Sequence, residues 1–106
     1  MTENRAGRID FKAINRAAID AGLANVLRRW VADGRVVGGE YVALNPRRND
    51  RHRGSFRINL DSARWCDFAC GAKGGDAVSY VAYVTNCSQI EAAKRLAAAL
   101  GIPAKG

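Results

Sequence analysis

The sequence predicts an α+β domain: a small antiparallel sheet of about three strands, packed with an N-terminal helix and two C-terminal helices. Three observations predict it. Apolar residues recur at helical spacing over 10–33 and again over 88–101. Short alternating runs lie between them, at 40–44, 55–59 and 64–68. The chain has 106 residues, enough for one modest core, so residues 1–106 read as a single domain. Residues 1–8 and 104–106 are expected to be loose ends.

Asp10 is placed to cap the first helix, and Ile14, Ala17, Ala18, Ala21, Val26, Leu27, Trp30 and Val31 form its buried stripe. Gly22 either bends that helical lead-in or splits it. Asp33-Gly34 stops it, and 34–40 reads as a loop. Glu40 to Leu44 is a short strand that Asn45-Pro46 breaks. Residues 47–54 form a polar, basic loop. Ser55 to Asn59 and Arg64 to Phe68 read as the two arms of a hairpin turning at Asp61-Ser62.

Phe56, Ile58, Leu60, Trp65 and Phe68 are the apolar material that would hold this hairpin. After the glycine-rich loop 71–75, Asp76 can cap a helix. The residues at 77–86 are rich in valine, tyrosine and threonine, which prefer strands, so helix and strand both stay open there. The next helix is clear. Ser88 and Glu91 form a capping box, and Ile90, Ala93, Leu96, Ala97 and Leu100 form the apolar stripe. Gly101 and Pro103 end it.

The formal net charge is +7, and thirteen of the 17 basic residues are arginine. Arginine binds phosphate through a planar fork and stacks on bases. A basic domain of this kind favours a polyanion, through counterion release. Arg47, Arg48, Arg51, Arg53 and Arg57 crowd one stretch in which Asp50 is the single acid, and Arg64 and Lys73 extend it. Phe56 and Trp30 read as core. Trp65 fits the core or a base-stacking surface, and is carried among the candidate binding residues.

The glycine-rich loop lacks the Walker spacing, so nucleotide hydrolysis is not expected. One histidine, His52, stands beside no nucleophile, and no catalytic site is expected. The opening MTENRAGRIDF carries acids and no apolar run, and no stretch approaches the ~20 apolar residues of a membrane span. A cytoplasmic protein without a membrane partner is expected. Three cysteines, Cys66, Cys70 and Cys87, give no disulfide framework in that compartment.

Four short motifs occur in order: Gly54-Ser55-Phe56, Cys70-Gly71-Ala72, Gly74-Gly75-Asp76 and Leu100-Gly101-Ile102. With them, residues 40–102 resemble the zinc-ribbon domain of DNA primases, and most resemble the zinc-less versions that head phage and plasmid primase-helicases. FKAIN at 11–15 and LRRW at 27–30 look like the helical lead-in of those versions.

Where the zinc family carries Cys-Pro-x-His, this chain has Asn45-Pro46-Arg47-Arg48. The family's second pair, Cys-x-x-Cys-Gly, is read here as Cys66 and Cys70, one residue too wide. A structural zinc takes four Cys or His ligands. No cofactor is therefore expected; a zinc ion, if bound, would use Cys66 and Cys70, with His52 and Cys87 as recruits of unusual spacing. The resemblance implies a non-enzymatic module that engages single-stranded DNA in replication of a phage or plasmid-like element, beside a primase or helicase partner protein. The alternative is a protein–protein adaptor of a replication complex that does not touch DNA.

Overall fold

The computed structural model describes residues 8–49 and 53–105. Asp10 caps helix α1 (Phe11–Asp20): its Oδ1 accepts the Ala13 N–H at 3.1 Å. The helix buries Ile14 and Ala18. Gly22 then takes φ 92°, a conformation that glycine adopts at little cost, and the lead-in splits there. Helix α2 (Leu23–Leu27) resumes after it and buries Leu23, Val26 and Leu27.

The sheet has five strands, two more than the sequence suggests, and is antiparallel throughout, in chain order. They are β1 (Arg35–Val37), β2 (Glu40–Ala43), β3 (Phe56–Asn59), β4 (Trp65–Asp67) and β5 (Lys73–Gly74). Strands β1 and β5 come from segments that read as loops. Gly38 and Gly39 both take positive φ, which closes a two-residue turn and sets Val37 opposite Glu40. All of β1 is exposed, so it carries no alternation that a sequence could reveal. Strand β5 is two residues long.

One face of the sheet carries Tyr41, Ala43, Phe56, Ile58, Trp65 and Asp67, all buried. It packs on helix α3 (Ala77–Thr85), where the Phe56 and Tyr80 rings stack at 5.1 Å and Trp65 meets Tyr80 edge-on at 5.9 Å. This settles the open segment as helix. Asp76 Oδ1 accepts the Ser79 N–H at 2.8 Å, and burial of Val78, Tyr80 and Val81 overrides their strand propensity.

Helix α4 (Gln89–Leu100) packs on α3 and α1 and buries Ala92, Ala93, Leu96 and Ala97. Ser88 Oγ accepts the Glu91 N–H at 3.0 Å, while the Glu91 carboxylate pairs with Arg95. Ile90, expected in the buried stripe, is 53% exposed, because it lies at the margin of the face that Ala92, Ala93, Leu96 and Ala97 bury. Trp30, expected in the core, is half-buried at its margin.

The tail is tied to the head. Ala104 accepts the Asp10 N–H at 3.0 Å and Lys105 bridges to Ile9, so 104–105 are not loose ends. Among the described residues, no helix is long and apolar enough to cross a membrane.

Candidate nucleic-acid interface

The second face of the sheet carries the charge. The strand registers align Arg35 with Val42, Val42 with Arg57, Arg57 with Cys66, and Cys66 with Lys73. One row thus crosses all five strands and bears three cations. Arg35 belongs to it but escapes sequence reasoning, because the wholly exposed β1 has no alternation to mark it as a strand.

The arginine cluster is less bare than its sequence suggests. Three of its members meet acids that lie far away in the chain. Arg48 pairs with the buried Asp67 at 3.0 Å, and Arg53 with Asp33 at 3.4 Å. Arg57 pairs with Glu40 at 3.1 Å. Arg53 also donates from Nε to the Asp33 carbonyl at 2.8 Å, and Arg57 to the Gly54 carbonyl at 2.7 Å. Arg51 and His52, like Asp50, lie outside the described residues. Arg47 behaves differently: its guanidinium sits 4.9 Å from the centre of the Tyr83 ring. Arg64 and Lys73 are exposed and form no ion pair with a described residue.

Those three cations border two adjoining grooves. The larger, about 570 Å³, is lined by Arg64, Trp65, Cys66, Lys73, Gly74 and Gly75. The smaller, about 300 Å³, lies beside Arg47, Tyr83, Asn86 and Gln89 and shares Trp65 and Lys73 with the first. Trp65 is 6% exposed, and its indole N–H donates to Ser79 Oγ at 2.9 Å. It lines both grooves yet is buried with its indole N–H engaged, which is the core alternative of its sequence reading and not the base-stacking one. Gly74 lets β5 come this close: a Cβ there would fall 2.4 Å from both Trp65 Nε1 and Ser79 Oγ.

At the far ends of β2 and β4, two turns face each other. In the first, Asn45 Oδ1 accepts the Arg47 N–H at 2.8 Å and the Asn45 carbonyl accepts the Arg48 N–H at 3.0 Å. In the second, Asp67 Oδ1 accepts the Ala69 N–H at 2.8 Å and the Asp67 carbonyl accepts the Cys70 N–H at 3.3 Å. Both turns share these two bonds, and the Asp67 carbonyl also accepts the Gly71 N–H at 2.8 Å. Between them, Asn45 Nδ2 donates to Asp67 Oδ2 at 2.7 Å and to Tyr83 OH at 2.9 Å. The Tyr83 hydroxyl lies 3.9 Å from Cys70 Sγ. Burial pushes the Asp67 carboxyl up, but bonds from Asn45, the Ala69 N–H, Arg48 and Ser55 outweigh it and hold the group at about 2. Burial pushes the Tyr83 phenol up, so it stays protonated.

The paired turns correct the expected ligand set. Cys66 is not the partner of Cys70. It sits one residue before Asp67 on β4 and therefore points to the opposite face; it also borders the larger groove. The family's Cys-x-x-Cys spacing falls on Asp67 and Cys70. Cys66, Cys70 and Cys87 are all free thiols, half-buried, exposed and half-buried respectively. Phe68, expected to pack the hairpin, is 74% exposed on the second turn.

A zinc ion fits poorly here. Of the four positions, Asn45, Arg48, Asp67 and Cys70, one is a permanent cation and one an amide. Among the described residues, no three Cys, His, Asp or Glu side chains group to hold a metal.

No curated protein matches the chain. A sequence model of the CHC2 zinc finger matches residues 9–105, nearly its whole length and all the elements described above. The chain belongs to the CHC2 zinc finger family, the zinc-ribbon domains of DNA primases.

Proposed function

We propose that this chain is a non-catalytic nucleic-acid-binding module that engages single-stranded DNA in replication of a phage or plasmid-like element, working beside a primase or helicase. One observation carries the reading: Arg47, Arg64 and Lys73 border two grooves that meet at Trp65 and Lys73. Arginine and lysine along a groove follow a phosphate backbone, and the Arg47–Tyr83 stack offers a flat cationic surface to a base. Membership in the primase zinc-ribbon family supports the same substrate class.

The test is fluorescence anisotropy with a labelled single-stranded oligonucleotide across a salt series. Each productive cation removed lowers the slope of log K against log salt by about 0.7. Arg47→Ala, Arg64→Ala and Lys73→Ala are expected to do so, and Arg53→Ala to change it least, since Asp33 already holds that side chain. Absence of binding by the wild type at low salt would sink the reading. It would then favour the adaptor alternative, whose support is the exposed Val36 and Val37 of edge strand β1.

A further inference from the structure

The two facing turns carry an inference that does not depend on DNA binding. Each is a four-residue turn, Asn45 to Arg48 and Asp67 to Cys70. In each, the first side chain caps the N–H two residues on, and the first carbonyl takes the N–H three residues on. The four corner side chains converge on one locus through Asp67 and Tyr83. A zinc ribbon also has two turns and four corners, and there a dication draws the corners together.

We propose that Asn45, Arg48, Asp67 and Cys70 form a metal-free substitute for a zinc site, in which the Arg48 guanidinium supplies the positive charge that holds the two turns together. Asp67 is the hub. Its two oxygens accept from Asn45 Nδ2, Arg48 NH1 and the Ala69 N–H, so the carboxylate lone pairs that a metal would need are already taken. Arg48 is one-third exposed while Asp67 is fully buried, so the cation reaches in from the surface and covers the carboxylate. The hairpin is thereby held by a polar clasp as well as by apolar packing. Folding does not draw on zinc, and chelators do not unfold the protein.

Two measurements test this. First, the triple variant N45C/R48H/D67C, with the native Cys70, rebuilds Cys-x-x-His and Cys-x-x-Cys corners. It is expected to take up one zinc per chain and to give the tetrahedral thiolate spectrum with cobalt. Wild type shows neither, and its thermal transition is unmoved by a strong chelator. A folded triple variant without the cobalt spectrum, or a wild type that holds stoichiometric zinc and melts earlier with chelator, overturns the proposal.

Second, for the case where the triple variant does not fold, thermal unfolding of Arg48→Met, Asp67→Asn and the double variant reads the clasp directly. Arg48→Met leaves a buried carboxylate without its cation and is expected to lower the Tm by about 10 °C or more. The double variant is expected to fall no further than that single one. Additive losses would show that the two side chains do not act as a pair.

Discussion

Arg48 and Asp67 lie 19 residues apart in the chain and 3.0 Å apart in the fold, where they join the turn after β2 to the turn after β4. The pair is asymmetric: the acid is fully buried and the base is one-third exposed. A buried carboxylate costs several kcal/mol unless it is paired and hydrogen-bonded. Here it receives Arg48, Asn45 and the Ala69 N–H together. The sheet can therefore close over a charge on its inner face, in the row that Asp67 shares with the buried Ala43 and Phe56.

The Asp67 carboxyl makes stability fall in acid. Its value in the fold is about 2, against 3.8 for a free group. A lowered folded value gives stability that is fully present above the unfolded value and lost as pH falls through the folded one. The contribution is about 2 kcal/mol near neutrality, and it disappears progressively between about pH 4 and pH 2. Urea midpoints measured across that window should drop for the wild type. In Asp67→Asn they should start lower and show a shallower decline. Parallel curves would mean that Asp67 does not titrate as its surroundings imply.

Much of this molecule was legible as sequence. The sequence marks Asp10, Asp76 and Ser88 as helix caps, and each side chain accepts the expected N–H. Such bonds span three residues, so local spacing reveals them. The burial of Phe56 and Ile58 followed from strand alternation. What failed was long-range or very short. Strands β1 and β5 have three and two residues and no buried stripe to mark them. The basic cluster looked unneutralised because Asp33, Glu40 and Asp67, the acids that meet it, come from other elements. In the sequence Cys66 stands out as a remnant ligand because it is a cysteine. The facing turns instead select Asp67, which residue type alone does not mark as a partner of Cys70.

Tyr80 offers a test of the core. Its ring is buried and stacks on Phe56 with the planes 3° apart, yet its hydroxyl finds no hydrogen-bond partner among the described residues. Burial drives its pKa far above the ordinary phenol value. An unsatisfied buried hydroxyl costs about 1–3 kcal/mol, and its removal leaves the stacking in place. Tyr80→Phe is expected to raise the unfolding free energy by about 1 kcal/mol in urea titrations. A loss of that size would instead show that the hydroxyl is satisfied.

Glu40 decides how much of the sheet's charged face is available to a polyanion. Its carboxylate holds Arg57, which shares a cross-strand row with Arg35 and Lys73. The pair is one-third exposed, so breaking it costs at most about 1 kcal/mol and leaves the fold intact. Glu40→Gln is expected to release Arg57, raise the affinity for single-stranded DNA at low salt, and steepen the salt slope by about 0.7. Glu91→Gln, on α4, makes the same change of net charge beside Arg95 and controls for the overall field. If both variants shift binding equally, DNA senses only the total charge of the protein. If Glu40→Gln alone steepens the slope, the strand runs across the sheet face, and the acids that pair with its arginines set how tightly it is held.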